Sequence, residues 1–324
     1  MKNIFKKPFR WAIFYSLVMA AAVTFVLMDT FVIEQTGTPM VTASLSAREV
    51  KTDSESQSTS GAVTNEQSTI NQAASTPDNA VITENSYKDD NIQITIDTVR
   101  KYDTTLYVAD IQVSSAQYLK TAFAKGTYGR NIKQTTSDMA ESNNAIFAIN
   151  GDYYGFRDYG FVIRNGVLYR NTPNPSGTGE AMMIDKDGNL SIVNEQQSDA
   201  QALVDSGAWQ VLSFGPALVN NGKITVDENT EVGKAMASNP RTAIGQISPL
   251  HYIVIVSDGR TSESAGLSLL QLAQEFSERG CTVAYNLDGG GSSTMWFNGK
   301  VVNVPANGRS SSQRSVSDIV YLGY

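Results

Sequence analysis

Between Phe31 and Tyr87 the chain has no aromatic residue. The stretch holds mostly Ser, Thr, Gln, Asn, Ala and scattered charge, as in "TDSESQSTSGAVTNEQSTINQAASTPDNA". Such a composition cannot bury enough apolar surface to offset chain entropy. It therefore divides the 324 residues into three parts. Residues 34–86 read as a disordered Ser/Thr-rich stalk, which as a coil of ~50 residues would span on the order of 40 Å. Everything that folds into a core must come from residues 87–324.

Ahead of the stalk, residues 1–10 carry Lys2, Lys6, Lys7 and Arg10, and residues 11–33 are almost wholly apolar. At about 1.5 Å per residue that run crosses a ~30 Å hydrocarbon core. The basic residues before it place the N-terminus in the cytoplasm and the rest outside the cell. A cleaved signal peptide is the competing reading. The run is long for one, and the nearest small-residue site, "TASLSA", begins only at Thr42. A single-pass anchor in the cell membrane is the expectation. No Cys follows the run, which argues against a lipoprotein. Beyond Arg10 the chain holds 21 basic against 32 acidic residues, a net of about −11. A domain so acidic is a poor ligand for nucleic acid.

The one cysteine, Cys281, allows no internal disulfide and no cysteine-based zinc site. The one histidine, His251, stands at the head of "YIVIV" and reads as a packed strand residue, so a Ser-His-Asp mechanism has little to rest on.

From Tyr87 onward, short alternating runs read as strands: "NIQITIDTV", "TTLYVADIQV", "AIFAIN", "YGFVIRNGVLYR" and "HYIVIV" among them. Asn165-Gly166, Asp187-Gly188, Asn221-Gly222 and Asn298-Gly299 read as hairpin turns, each needing positive φ. One helix is clear in "SLLQLAQEFSERG", with Ser268 and Gln271 as a capping box and Gly280 as its stop. A shorter one is expected over Thr136–Ser142. The fold class is α+β: an antiparallel-rich sheet domain with few helices.

The chemistry concentrates in "YNLDGGGSSTMWFNG". A strand ends at Asp288, and Gly289, Gly290 and Gly291 follow, then Ser292, Ser293 and Thr294. Glycines let a backbone approach a ligand and let consecutive N–H groups form an anion nest. A glycine-rich bulge without a ligand is the plainer reading. No Lys follows the glycines, so this is not a Walker loop. Other strand ends carry Asn150, Asp152 and Arg164, then Arg241, then Asp258 and Arg260, then Arg309, Arg314 and Asp318. Carboxylates, arginines and aromatics together suit a sugar bearing an anionic group. Tyr153, Tyr154 and Phe156 would stack on its ring.

"NLDGGGSST", with "INGDYY" at Ile149–Tyr154, "RTAIG" at Arg241–Gly245 and "QRSVSD" at Gln313–Asp318, resembles the phosphodiester glycosidase family over roughly residues 87–324. Many relatives carry Glu where this chain has Gln313, so no acid catalysis is expected there. The resemblance implies hydrolysis between an anomeric carbon and a phosphodiester oxygen, in a cell-envelope or extracellular polysaccharide. Under it, Asp288 is the leading catalytic carboxylate and Asp152 its partner. Gly289, Gly290, Gly291, Ser292, Ser293, Arg241 and Arg314 would hold the phosphate; Asn150, Arg164 and Asp258 would hold the sugar. The alternative is a non-catalytic glycan-binding or exopolysaccharide assembly protein using the same pocket. No cofactor is expected. Ca²⁺ would need Asp152, Asp258 and Asp288, whose spacing matches no compact calcium loop.

Overall fold

A computed structural model describes residues 8–40, 77, 79–175, 179–230, 238–308 and 310–324. The basic tail up to Lys7, most of the expected stalk (41–76 and 78) and Arg309 lie outside the described residues.

Three antiparallel sheets build the domain. The largest has nine strands, centred on Val283–Asn286, Thr242–Ser248, His251–Ser257, Thr104–Val113 and Ile92–Lys101. A second sheet of five contains Val162–Arg164, Ala208–Leu212 and Glu180–Asp185. The third, also of five, runs Lys300–Val301, Met295–Phe297, Phe147–Asn150, Asp318–Leu322, Leu119–Phe123. All strand pairs among the described residues are antiparallel. One apolar core, including Ile94, Ile111, Phe147, Met182, Ile244, Tyr285 and Val320, joins all three sheets.

Among the described residues there are four α-helices: α1 (Pro8–Phe31), α2 (Thr136–Ser142), α3 (Ala200–Asp205) and α4 (Leu269–Glu278). Helix α4 has the expected capping box, Ser268 accepting from Gln271 N–H while the Gln271 amide oxygen accepts from Ser268 N–H. Its buried Leu269, Leu272, Ala273 and Phe276 cover the largest sheet. Gly245 makes that approach close: a Cβ there would stand 2.6 Å from the Phe276 ring. Helix α2 keeps the expected bounds and packs Met139 and Ala140 on Ala148, Trp296 and Ile319 of the third sheet.

Asn165-Gly166, Asn221-Gly222 and Asn298-Gly299 have positive φ at both residues. Asp187-Gly188 departs from that pattern: only Gly188 does. There Asp185 caps the turn, its Oδ1 accepting from Asp187 N–H and Asn189 N–H, and a wider loop with a single left-handed glycine results.

The ends of the expected stalk that can be described carry structure. Gln35–Thr36 pairs antiparallel with Gly129–Arg130, and Val81–Ile82 with Tyr87–Lys88. The folded unit thus starts before Tyr87.

Candidate active site

Asp288 lies two residues past the end of Val283–Asn286 in the largest sheet, and Met295 opens a strand of the third. The glycine-rich segment is therefore a crossover between sheets. One residue pins it at both ends. Asn150, wholly buried, donates Nδ2–H to the Asp288 carbonyl at 2.6 Å, and its Oδ1 accepts from Thr294 N–H at 3.2 Å and Thr242 Oγ1 at 2.9 Å. Those bonds occupy its amide, so Asn150 builds the loop rather than facing a sugar.

The glycines serve the same crossing. Gly290 has φ +61° and donates N–H to the Pro240 carbonyl at 2.8 Å. Gly289 donates to Asp288 Oδ1 at 2.9 Å, and a Cβ on it would stand 2.9 Å from the Pro240 carbonyl oxygen. Those two N–H groups are engaged inside the protein and are not offered to a ligand. Ser293 is buried in the loop, its hydroxyl without a partner among the described residues.

A cleft of about 190 Å³ opens beside the loop. Lys133, Gly151, Tyr153, Phe156, Asp288, Ser292 and residues 314–317 line it. Asp288 Oδ2 accepts from Ser292 Oγ at 2.6 Å and Arg314 Nη2 at 2.8 Å. Burial pushes the Asp288 carboxyl above its usual range; the Arg314 charge and the Ser292 and Gly289 donors pull the other way. Arg314 also donates Nε–H to Ser292 Oγ at 2.8 Å. Its Nη1 makes no hydrogen bond among the described residues, and its side chain stays 40 % exposed against 11 % for Asp288. The guanidinium thus has donors left for a ligand. Lys133 is exposed on the rim and makes no ion pair among the described residues.

Tyr153 and Phe156 supply the apolar wall, rings stacked at 4.5 Å. Tyr153 holds φ +71°, a strained conformation for an aromatic residue, and the strain lies on the cleft wall. Tyr154 points the other way: it is buried and stacked on Tyr128 at 5.3 Å, so it is core, not platform.

Beneath the cleft lies a buried charge cluster. Arg164 Nη2 reaches Asp152 Oδ1 at 3.0 Å and Asp318 Oδ2 at 2.9 Å. Asp152 Oδ1 also accepts from Tyr154 N–H and its Oδ2 from Ser213 N–H at 2.7 Å. Burial and the neighbouring Asp152 raise the Asp318 carboxyl to about 7, against the pull of Arg164. Two carboxylates on one guanidinium leave excess negative charge, which favours the protonated form of Asp318. Gly151 between them has no room for a side chain: a Cβ would stand 2.1 Å from Asp318 Oδ1. Asp152 and Arg164 therefore support the floor and do not line the cleft.

Arg241 and Asp258 also stand outside the lining. Arg241 donates Nε–H to the Leu267 carbonyl at 3.0 Å. Asp258 accepts from Val304 N–H at 2.8 Å and Tyr107 Oη at 3.2 Å. Gln313 bonds Ser137 at the start of α2 through both amide atoms. His251 pairs with Asp110 at 2.9 Å at a strand head, and burial pushes the Cys281 thiol up to about 12. Among the described residues no three His, Cys, Asp or Glu gather as metal ligands. Of the expected site residues, then, the cleft collects Asp288, Ser292 and Arg314, with Tyr153 and Phe156 of the expected ring platform. Lys133, and the supporting role of Asp318, were not singled out from the sequence. Lys133 carries no local signal, and the Asp318 pairing with Arg164 spans 154 residues.

Fold and cleft define an antiparallel α+β domain whose site pairs a buried carboxylate with a half-exposed arginine at a sheet crossover. The chain belongs to the phosphodiester glycosidase family, whose pattern it matches over residues 143–322. It is 32 % identical over 202 residues to the SPbeta prophage-derived uncharacterized protein YomE of Bacillus subtilis (strain 168), covering 61 % of this chain and 31 % of that one. It is 29 % identical over 192 residues to mouse N-acetylglucosamine-1-phosphodiester alpha-N-acetylglucosaminidase, covering 54 % and 36 %. The match thus spans about a third of these relatives' length. The fold is similar to the zebrafish N-acetylglucosamine-1-phosphodiester alpha-N-acetylglucosaminidase catalytic domain auto-inhibited by pro-peptide. That match has a TM-score of 0.56 at 21 % identity and covers 72 % of this chain and 83 % of the other.

Proposed function

We propose that the domain hydrolyses a glycosyl phosphodiester, with Asp288 as its catalytic carboxylate. The observation that carries this is Asp288 Oδ2 held 2.8 Å from Arg314 Nη2 on the wall of the cleft. Family membership and the activity named for the mammalian relatives support it. The oxygen of a water bonds to the anomeric carbon as the bond from that carbon to the phosphate oxygen breaks. The electron pair leaves on the phosphate, giving a free sugar and a phosphate monoester. A phosphate monoester is already a good leaving group, so a strong acid is unnecessary. What the reaction needs is a carboxylate to take the water proton and offset charge on the oxocarbenium-like carbon. Arg314 Nη1 and Lys133 would hold the phosphate. Tyr153 and Phe156 would carry the apolar face of the sugar. Asp152, Arg164 and Asp318 would position the floor.

The setting is a membrane anchor with the domain outside the cell, acting on an envelope or extracellular glycan. Helix α1 supports it: Arg10–Phe31 is 22 residues long with mean hydropathy 2.1, and the domain covers none of its most apolar part. High-salt washing should leave the chain in the membrane fraction, and external protease should release a fragment beginning within 34–86. A mature N-terminus between Ala43 and Arg48 in untreated cells would contradict the anchor. The activity is tested with the full chain and the methyl phosphodiester of N-acetylglucosamine 1-phosphate. Release of free sugar is expected; binding without turnover would favour a glycan-binding role.

A further inference from the structure

The segment that follows α1 is clamped to the domain beside the cleft. Asn131, left-handed at φ +60°, donates Nδ2–H to the Thr30 carbonyl at 3.1 Å and the Ile33 carbonyl at 3.0 Å, where α1 ends. Gln35 and Thr36 then pair with Arg130 and Gly129. Gly37 N–H reaches the Tyr128 carbonyl and Met40 N–H the Leu168 carbonyl, both at 2.9 Å. Glu34 pairs with Lys125. The fit is close: a Cβ on Gly129 would stand 2.1 Å from the Gln35 carbonyl oxygen.

These contacts fix the height of the cleft. The apolar span of α1 ends at Phe31, and 22 residues match a hydrocarbon core of ~30 Å. With that span in a bilayer, Thr30 and Ile33 would stand at the boundary between acyl chains and headgroups, and Asn131 with them. Lys133, on the cleft rim, is two residues on, within about 7 Å of backbone reach. A domain on a free tether of ~50 residues would range over tens of Å. With α1 spanning a bilayer as proposed above, this one would be held with its cleft rim near the headgroup layer.

The geometry points to a membrane-borne substrate: a glycosyl phosphodiester whose aglycone is a lipid alcohol embedded in the same bilayer. This rests on the hydrolase and membrane-anchor readings above and adds the class of aglycone. Lys133 would meet the phosphodiester at headgroup height, and the sugar would rise past Tyr153 and Phe156 to Asp288. Water bonds to the anomeric carbon, the bond to the phosphate oxygen breaks, and the lipid phosphate monoester stays in the membrane while the free sugar leaves.

The test uses the full chain in phosphatidylglycerol vesicles with two substrates bearing the same N-acetylglucosamine phosphodiester head, one on a polyprenol and one on methanol. The variant combines Asn131→Gly, which keeps the left-handed backbone, with a Gly/Ser insertion of about 20 residues after Ile33, enough to free the domain by ~25 Å. Neither change touches the cleft lining. We expect turnover of the methyl substrate to be unchanged and that of the polyprenyl substrate to fall at least ~10-fold, as effective concentration at the surface is lost. An unchanged ratio of the two rates would overturn the membrane-borne substrate while leaving hydrolysis intact. Turnover of neither substrate by the unaltered chain would overturn hydrolysis and this inference together.

Discussion

Arg314 Nη2 lies 2.8 Å from Asp288 Oδ2, and Ser292 Oγ bonds both groups. Burial raises the Asp288 carboxyl and Arg314 restrains that rise. Asp288 must be ionised to act, so activity should fall as pH drops through its raised value. Removing the Arg314 charge lets the value climb further. Arg314→Ala should therefore move the acid limb of kcat to higher pH and raise KM, and Arg314→Lys should move the limb less. A pH–rate profile checks this; an unmoved limb in Arg314→Ala would separate the pair from the chemistry.

The buried cluster under the cleft predicts a pH dependence of stability. The Asp318 carboxyl, at about 7, lies above the usual carboxylate value of ~4. Between those values the folded state holds more protons than the unfolded one. The contribution is thus full below the lower value and is lost as pH rises through the upper one. Asp318→Asn leaves Arg164 paired with Asp152, so it should lower stability only by about 1–3 kcal/mol, through the hydrogen bonds that its amide N–H groups cannot accept. It should also flatten the fall in stability from pH ~5 to ~7. Urea denaturation at both pH values reads the difference.

Two glycines near the site should respond differently. At Gly151 a Cβ would meet Asp318 Oδ1 at 2.1 Å, deep in the buried cluster. At Gly290 it would meet only the tip of Arg260 at 2.9 Å, and the cost is mainly the left-handed φ of +61°. Gly290→Ala should cost roughly 1–2 kcal/mol. Gly151→Ala should cost more and remove activity. Thermal melts rank them; an equal or reversed order would mean the floor yields more easily than its packing suggests.

Tyr153 keeps φ +71° on the cleft wall with its ring stacked on Phe156. Tyr153→Gly relieves the strain and removes the platform. Stability should hold or rise slightly while KM for the glycosyl phosphodiester rises several-fold. A large loss of stability with KM unchanged would make the ring a packing element only.

Local signals were legible in the sequence. The Ser268–Gln271 capping box, the bounds of α2 and three of the four hairpin turns need only neighbours in the chain. The antiparallel α+β class followed from them. What could not be read depended on distant partners. Asn150 looks like a sugar ligand in "AINGDYY", but it is spent on Asp288 and Thr294, more than a hundred residues away. Asp152 and Arg164 look like site residues until Asp318 joins them in the core. Gln35–Thr36 has no strand signal of its own and forms only against Gly129–Arg130. In sequence the three glycines look like a ligand nest. Gly289 and Gly290 instead spend their N–H groups on Asp288 and Pro240 within a crossover between two sheets, a relation invisible before the sheets are known.

The most direct test of the account is turnover of the methyl phosphodiester of N-acetylglucosamine 1-phosphate by Asp288→Asn beside the unaltered chain. The new amide turns donors toward Arg314 and Ser292, so a stability loss of about 1–3 kcal/mol is expected from the unmet bonds. Assays must therefore be run below the melting range of the variant. The account predicts a fall in kcat of at least ~10²-fold in protein that is still folded, the scale of a lost acid–base group. Turnover within a few-fold of the unaltered chain would contradict it and remove Asp288 as the catalytic carboxylate.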